Sequence, residues 1–299
     1  MYQLKHVLAI VDFRQDRHYA LPRAIELAKQ FDCEITVTAN TYESFLSFIP
    51  TSSAIDHQQI KREAIALNNQ RLRDLVDTFD HEGLSIHCKT IWSKSFHSGL
   101  TEYINEYGFD LVLKSSHGHN IIKKILFTPT DWHLLRDTKA NVLFVNKGNW
   151  PKESSIIGAI NIEDDQQHQA LNEKIIKTTV ALAESCSSKA SVLNVFPWPM
   201  IQLNKFKYLF DKEDLFLSIK SEHEDQVKKI VDGVANLNGK VIIAEGLEPE
   251  ETIPEIMKST KSELLVMGTV GRKGIDAAMI GNTAEKILDK LECEVLAIK

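Results

Sequence analysis

The chain is poor in cysteine, and its four thiols, Cys33, Cys88, Cys186 and Cys293, form neither a CxxC pair nor a dense framework. That spacing excludes a disulfide-stapled secreted domain and favours a reducing, cytoplasmic setting. No apolar run approaches the roughly 20 residues that a membrane helix needs, so no membrane partner is expected. Positive charge is not in excess either. Lys and Arg number 35 against 41 Asp and Glu, a net charge of −6, which gives no general pull toward a nucleic-acid backbone. With 13 Gly and 8 Pro in 299 residues the chain is neither fibrous nor low in complexity. Also missing are a Walker A loop, a Rossmann GxGxxG, a nucleophile elbow GxSxG, and the SGGxDS or HIGH-like sequences of adenine-binding α/β enzymes. No catalytic residue is assigned on this basis.

What is present is an ordinary globular composition, 43% hydrophobic and 25% charged, long enough for two domains with separate cores. Short apolar runs alternate with helical stripes. His6 to Asp12 reads as a buried strand, Ala20 to Phe31 as a helix, and Cys33 to Ala39 as a second strand. Residues 60–79 carry a stripe of Ile60, Ala64, Leu67, Leu72, Leu75 and Val76. Further strands are expected at 87–92, 110–114 and 142–145, with helices at 100–107 and 131–136. Such alternation predicts a doubly wound parallel sheet with helices on both faces.

The order then restarts after Gly148-Asn149-Trp150-Pro151, which reads as a linker. Ile156 to Asn161 repeats Val7 to Asp12 at an offset of 149, and Glu263 to Val266 repeats Asp110 to Leu113 at 153. At the second offset Gly118 falls on Gly271, Thr130 on Thr283 and Leu135 on Leu288. Two homologous α/β domains, 1–148 and 152–299, are expected.

The most informative segment is Leu264 to Gly274 followed by Met279 to Glu285. A strand runs into Gly268 and Gly271, where a missing Cβ permits positive φ and close approach of a ligand to the backbone. Gly281-Asn282-Thr283 opens a helix, and Asn282 with Glu285 three residues later has the look of a capping box. Free N–H groups at such a helix start attract anions, phosphate above all.

The spacing Gly-x2-Gly-x9-Gly, followed by a small polar residue, resembles the ATP-binding signature of the universal stress protein family. The resemblance covers the chain twice, and Phe127 to Leu135, Ala170 to Lys174 and Gly268 to Gly271 resemble its tandem members. It implies two Rossmann-like domains of the adenine nucleotide alpha hydrolase-like type, each a five-stranded, mainly parallel sheet. It further implies ATP or a related nucleotide as ligand, with Gly268, Gly271, Gly281, Asn282 and Thr283 around the triphosphate. Ala159, Asn161, Val195 and Met267 would meet adenine and ribose. Asn161 stands where the family commonly has Asp, and an amide is the weaker acceptor. The resemblance also implies antiparallel pairing of the last strands, Val142 to Val145 and Val295 to Ile298, in an intramolecular pseudo-dimer. Such pairing would protect both edges. A homodimer and unidentified protein partners are further expectations.

The two halves differ. In the first, Asp12 keeps the carboxylate, but the loop reads Ser115-Ser116-His117-Gly118 and the later glycine is Thr128, followed by Pro129. Pro129 suits a helix start but removes an N–H. The second half is therefore expected to be the nucleotide site. Other readings stay open. The aromatic stretch between Phe196 and Phe216 could seal a core or line a pocket for an apolar small ligand, which would make the protein a scaffold or carrier. Asp276, Glu285, Glu163, Asp164 and Asp165 could serve weak ATP hydrolysis, although no motif positions water. His117, His119 and His133 fall short of a tetrahedral metal set, so no metal is expected. Cys186 reads as an inert thiol.

Overall fold

The computed structural model describes residues 4–48, 56–116, 126–148, 150, 151, 153–162, 166–196, 212–246, 248–269 and 280–299. They form two compact units that part between residues 149 and 150.

In the first unit, β1 (His6–Ile10), β2 (Glu34–Thr41), β3 (Ile86–Trp92), β4 (Leu111–Ser115) and β5 (Asn141–Val145) alternate with α1 (Ala20–Phe31), α2 (His57–Val76), α3 (Phe96–Tyr107) and α4 (Pro129–Asp137). All pairings are parallel, in the order β3-β2-β1-β4-β5. β1 and β4 are the central strands, and their near-continuous apolar runs are buried on both faces, as a parallel sheet demands. Right-handed crossovers set α1 and α2 on one face and α3 and α4 on the other; α3 packs against α4. α1 buries Ala20, Leu21, Ala24, Ile25, Leu27 and Ala28, and it ends where Asp32 turns left-handed.

Three local differences from the periodicity have physical causes. α2 forms, but only Leu72 and Val76 of its apolar stripe are buried, while Leu67 is 63% exposed. α3 begins at Phe96 instead of Leu100. Gly99, a poor helix former, sits in that first turn because a Cβ there would come within 2.3 Å of Ser93 Cβ. α4 begins at Pro129 because Thr128 caps it through a complete capping box with Asp131.

The second unit repeats the plan with β6 (Ser155–Ile160), α5 (Gln166–Ser185), β7 (Lys189–Phe196), α6 (Lys212–Asp232), β8 (Val241–Glu245), α7 (Pro249–Ser259), β9 (Leu264–Gly268), α8 (Asn282–Leu288) and β10 (Glu294–Ile298). Its strands are parallel in the order β10-β9-β6-β7-β8. Trp150 opens this unit as a packed residue: it is buried, and its indole Nε1–H donates to the buried Glu294 carboxylate at 2.7 Å. No helix among the described residues is long and apolar enough to cross a membrane.

Candidate functional site

In the second unit β6 leads to β7 on one side, while its other neighbour β9 leads to β10 on the opposite side. The chain therefore diverges at the C-terminal ends of β6 and β9, a topological switch point, the usual place for a ligand in an open α/β sheet. Strand register brings candidates to that switch point. Ala159 pairs with Met267, which pairs on its other side with Ala297; Gly268 pairs with Ile298. Met267 is buried, Ala159, Val195 and Gly268 are half-buried, and Asn161, Asn282 and Thr283 are exposed.

Backbone hydrogen bonds hold the helix start against the strand end. Gly281 N–H donates to Thr269 O at 3.3 Å, and Thr269 N–H donates to Ile298 O at 3.2 Å. Gly281 is the N-cap of α8, with φ −64° and ψ 142°, and gives the first turn no side-chain acceptor. Those first-turn amides carry the partial positive charge of a helix start, and the N-cap residue gives them no side-chain hydrogen bond. Strand pairing and this hook thus unite Ala159, Met267, Gly268, Gly281, Asn282 and Thr283; Asn161 and Val195 end the adjoining strands. Gly271 lies outside the described residues.

Two details of the sequence reading need correction. The apparent Asn282–Glu285 capping box does not form, because Asn282 is already the first helical residue and Gly281 the cap. The complete box is in the first unit, between Thr128 and Asp131. Gly268 does not use left-handed backbone either; the described glycines with positive φ are Gly83 and Gly108. Gly268 is small for another reason: a Cβ would lie 2.5 Å from Leu171 Cδ2 of α5.

A polar network that the apolar pattern of 192–196 does not predict joins the ends of β6 and β7. Asn194, 2% exposed within an apolar strand, donates through Nδ2 to Ile160 O at 2.9 Å. Its Oδ1 lies 2.6 Å from His223 Nε2 of α6. The carbonyl fixes the orientation of the amide, so His223 must carry its proton on Nε2. Burial holds the His223 imidazole below its ordinary value and keeps it neutral. The ring also meets Phe196 at 4.7 Å between centroids. Beside this, buried Asn172 donates through Nδ2 to Asn161 O at 2.6 Å and accepts from Asn161 N–H at 3.3 Å. The detectable signal was a polar residue inside the apolar run 192–196, since a buried amide requires partners.

The matching corner of the first unit carries charged side chains of its own. Lys114, paired in register with Ile10, makes an ion pair of 2.6 Å with Asp131, and both side chains are at least nine-tenths buried. Ser115 Oγ accepts from Ala20 N–H at 3.1 Å. Asp12 accepts from the Arg14 guanidinium at 2.8 Å through both oxygens. Burial works to raise the Asp12 carboxyl, but the Arg14 bonds and the charges of Arg14 and Lys114 outweigh it and hold the group low.

His133 is engaged with Asp137 at 2.8 Å and stacks on His97 at 4.0 Å. His117 and His119 lie outside the described residues. Among the described residues no cluster of three or more His, Cys, Asp or Glu could hold a metal ion. Of the carboxylates considered for hydrolysis, Glu163, Asp164, Asp165 and Asp276 lie outside the described residues, as does the aromatic stretch from 197 to 211.

Two α/β units, each a parallel sheet of the same strand order with a topological switch point, define a tandem Rossmann-like protein. The sequence comparisons give the family. The chain belongs to the universal stress protein family, whose model matches residues 3–146 and again 164–299. It is 30% identical over 301 residues to Universal stress protein E of Escherichia coli, covering 100% of this chain and 94% of that protein. It is 27% identical over 304 residues to the Universal stress protein E homolog of Haemophilus influenzae, covering 99% and 98%. Among solved structures, a functionally unknown protein from Pseudomonas aeruginosa superposes with a TM-score of 0.74 at 24% identity, over 99% of this chain and 92% of that one. A universal stress protein from Archaeoglobus fulgidus gives 0.65 at 14% identity, over 100% and 99%. These likenesses carry the fold.

Proposed function

We propose that the second domain, residues 152–299, binds ATP or a related adenine nucleotide, one per chain, and that the protein acts as a nucleotide-dependent binding and regulatory module of the cytoplasmic stress response. The observation that carries this reading is the uncapped start of α8, tied to the end of β9 beside the switch point. Exposed Asn282 and Thr283 stand at that start, where a phosphate would complete the first turn. Ala159, Val195 and Met267 offer an apolar seat at the strand ends for a base, and Asn161 an amide for its polar edge or for ribose. Gly268, Gly281, Asn282 and Thr283 would hold the phosphates, with Gly271 assigned on the family pattern alone. The nucleotide would supply the signal, a bound polyanion that the chain's partners could read. The proposal includes no catalytic step.

Calorimetric titration with ATP, ADP and AMP tests it, using Asn282→Asp as the informative variant. A carboxylate in the first helical turn interacts favourably with the helix dipole by about 0.3–1 kcal/mol, so folding is preserved or improved. The same charge repels a triphosphate. The expected result is one ATP per wild-type chain and an affinity at least ~10-fold weaker in the variant, about 1.4 kcal/mol. Absence of heat with wild-type protein, or unchanged affinity in Asn282→Asp, rejects the reading. Native mass spectrometry of freshly purified protein that shows an apolar ligand and no nucleotide favours the carrier alternative.

A further inference from the structure

At an offset of 153 residues, Lys114, Thr128 and Asp131 of the first unit stand where the second has Met267, Gly281 and Ala284. The secondary structure confirms the match: β4 and β9 end at Ser115 and Gly268, and Thr128 and Gly281 are the N-caps of the helices that follow. The chain therefore contains its own comparison. One copy of the corner is apolar with an uncapped helix start; the other holds a buried cation and a buried anion.

The bonding around Asp131 is that of a bound oxyanion. One carboxylate oxygen lies 2.6 Å from Lys114 Nζ as an ion pair, without hydrogen-bond geometry. The other accepts from Thr128 N–H and from the Thr128 hydroxyl, each at 2.7 Å. A backbone amide at a helix N-terminus and a hydroxyl supply hydrogen bonds while an ammonium supplies the opposite charge, a set suited to a phosphate or a free carboxylate. Here the chain supplies the anion through a side chain that is 0% exposed. Lys114, 4% exposed, is a poor choice for this position unless an anion is always present, because an unpaired buried ammonium is strongly disfavoured.

We infer that the first unit carries a self-occupied oxyanion site, with Asp131 as a built-in carboxylate in the place of an external anion. Two consequences follow. The first unit does not need a nucleotide to complete its fold. It also rejects one, since a polyphosphate would meet the carboxylates of Asp131 and Asp12 with Lys114 and Arg14 already paired. The inference extends beyond the nucleotide reading of the second domain and does not depend on it, because its test concerns the first unit alone.

The test is chemical rescue in the full-length protein. Asp131→Ala strands Lys114, and the thermal midpoint is expected to fall by about 6–12 °C. Formate or inorganic phosphate should restore a large part of that loss, whereas sodium chloride at equal ionic strength should not. Titration should reveal an anion site that wild-type protein lacks. The double variant Lys114→Met/Asp131→Ala installs the second unit's own residues; it should be more stable than Asp131→Ala and gain no anion-specific stabilisation beyond the wild-type response. If Asp131→Ala folds only with formate or phosphate present, while the double variant folds without them, the inference is supported. It is overturned if Asp131→Ala is as stable as wild type in chloride, if neither anion rescues it beyond chloride, or if the double variant responds to the anions as strongly as the single one.

Discussion

Replacing Asn194 by alanine removes two side-chain hydrogen bonds, one from β7 to β6 and one from β7 to α6. Asn194 is 2% exposed, and the substitution leaves Ile160 O without its side-chain donor and His223 Nε2 without its acceptor. Two lost hydrogen bonds of about 1 kcal/mol each, with a desolvated carbonyl left unpaired, amount to about 2–4 kcal/mol. For a unit of this size the thermal midpoint should drop by roughly 5–15 °C. The network also sets a pH dependence. Because burial lowers the His223 value in the folded state, the unfolded chain binds the proton more readily. Stability is therefore full above the unfolded value of about 6.5 and declines as pH falls below it, toward the lowered folded value. Asn194→Asp should reverse the sign, because a carboxylate beside Nε2 raises the imidazole. That contribution is present below about 6.5 and is lost as pH rises through the raised folded value. Urea denaturation at several pH values, with NMR titration of the His223 ring, measures all of this. A wild-type His223 that titrates at or above 6.5, or an alanine variant within about 0.5 kcal/mol of wild type, refutes the reasoning.

Other substitutions probe different layers. Gly268→Val drives a side chain into Leu171 and should cost about 1–3 kcal/mol as α5 is displaced; adding Leu171→Ala should recover part of that loss, and denaturation showing strictly additive losses would contradict the contact. Arg23→Met removes a wholly buried guanidinium that donates to Gly148 O and pairs with Glu26, so a loss of about 3–5 kcal/mol in chemical denaturation is expected for the first unit. Burial pushes the Cys33 thiol up to about 11, so a thiol reagent at neutral pH should leave Cys33 unmodified until denaturant is added; peptide mapping of native protein would detect the contrary.

Much of this architecture could be read from local pattern. The apolar runs at 6–10, 111–115 and 264–268 have the length and composition of central parallel strands, and the repeat at offsets of 149 and 153 exposed the duplication. Periodicity located α2 but not its buried face, since which side of a helix meets a sheet depends on neighbours far along the chain. Propensity hid the first turn of α3 behind Gly99, whose small size serves a contact with Ser93.

By itself, then, the sequence determined the alternation of strands and helices, the duplication and the family, because these are written in spacings shorter than about 20 residues or in outright repetition. The tertiary structure alone decided that Lys114 and Asp131 are buried as a pair, that His223 of α6 reaches Asn194 across 29 positions, and that Gly268 makes room for Leu171. Buried polar groups and close packing are satisfied by partners adjacent in space, and only the completed fold brings those partners together.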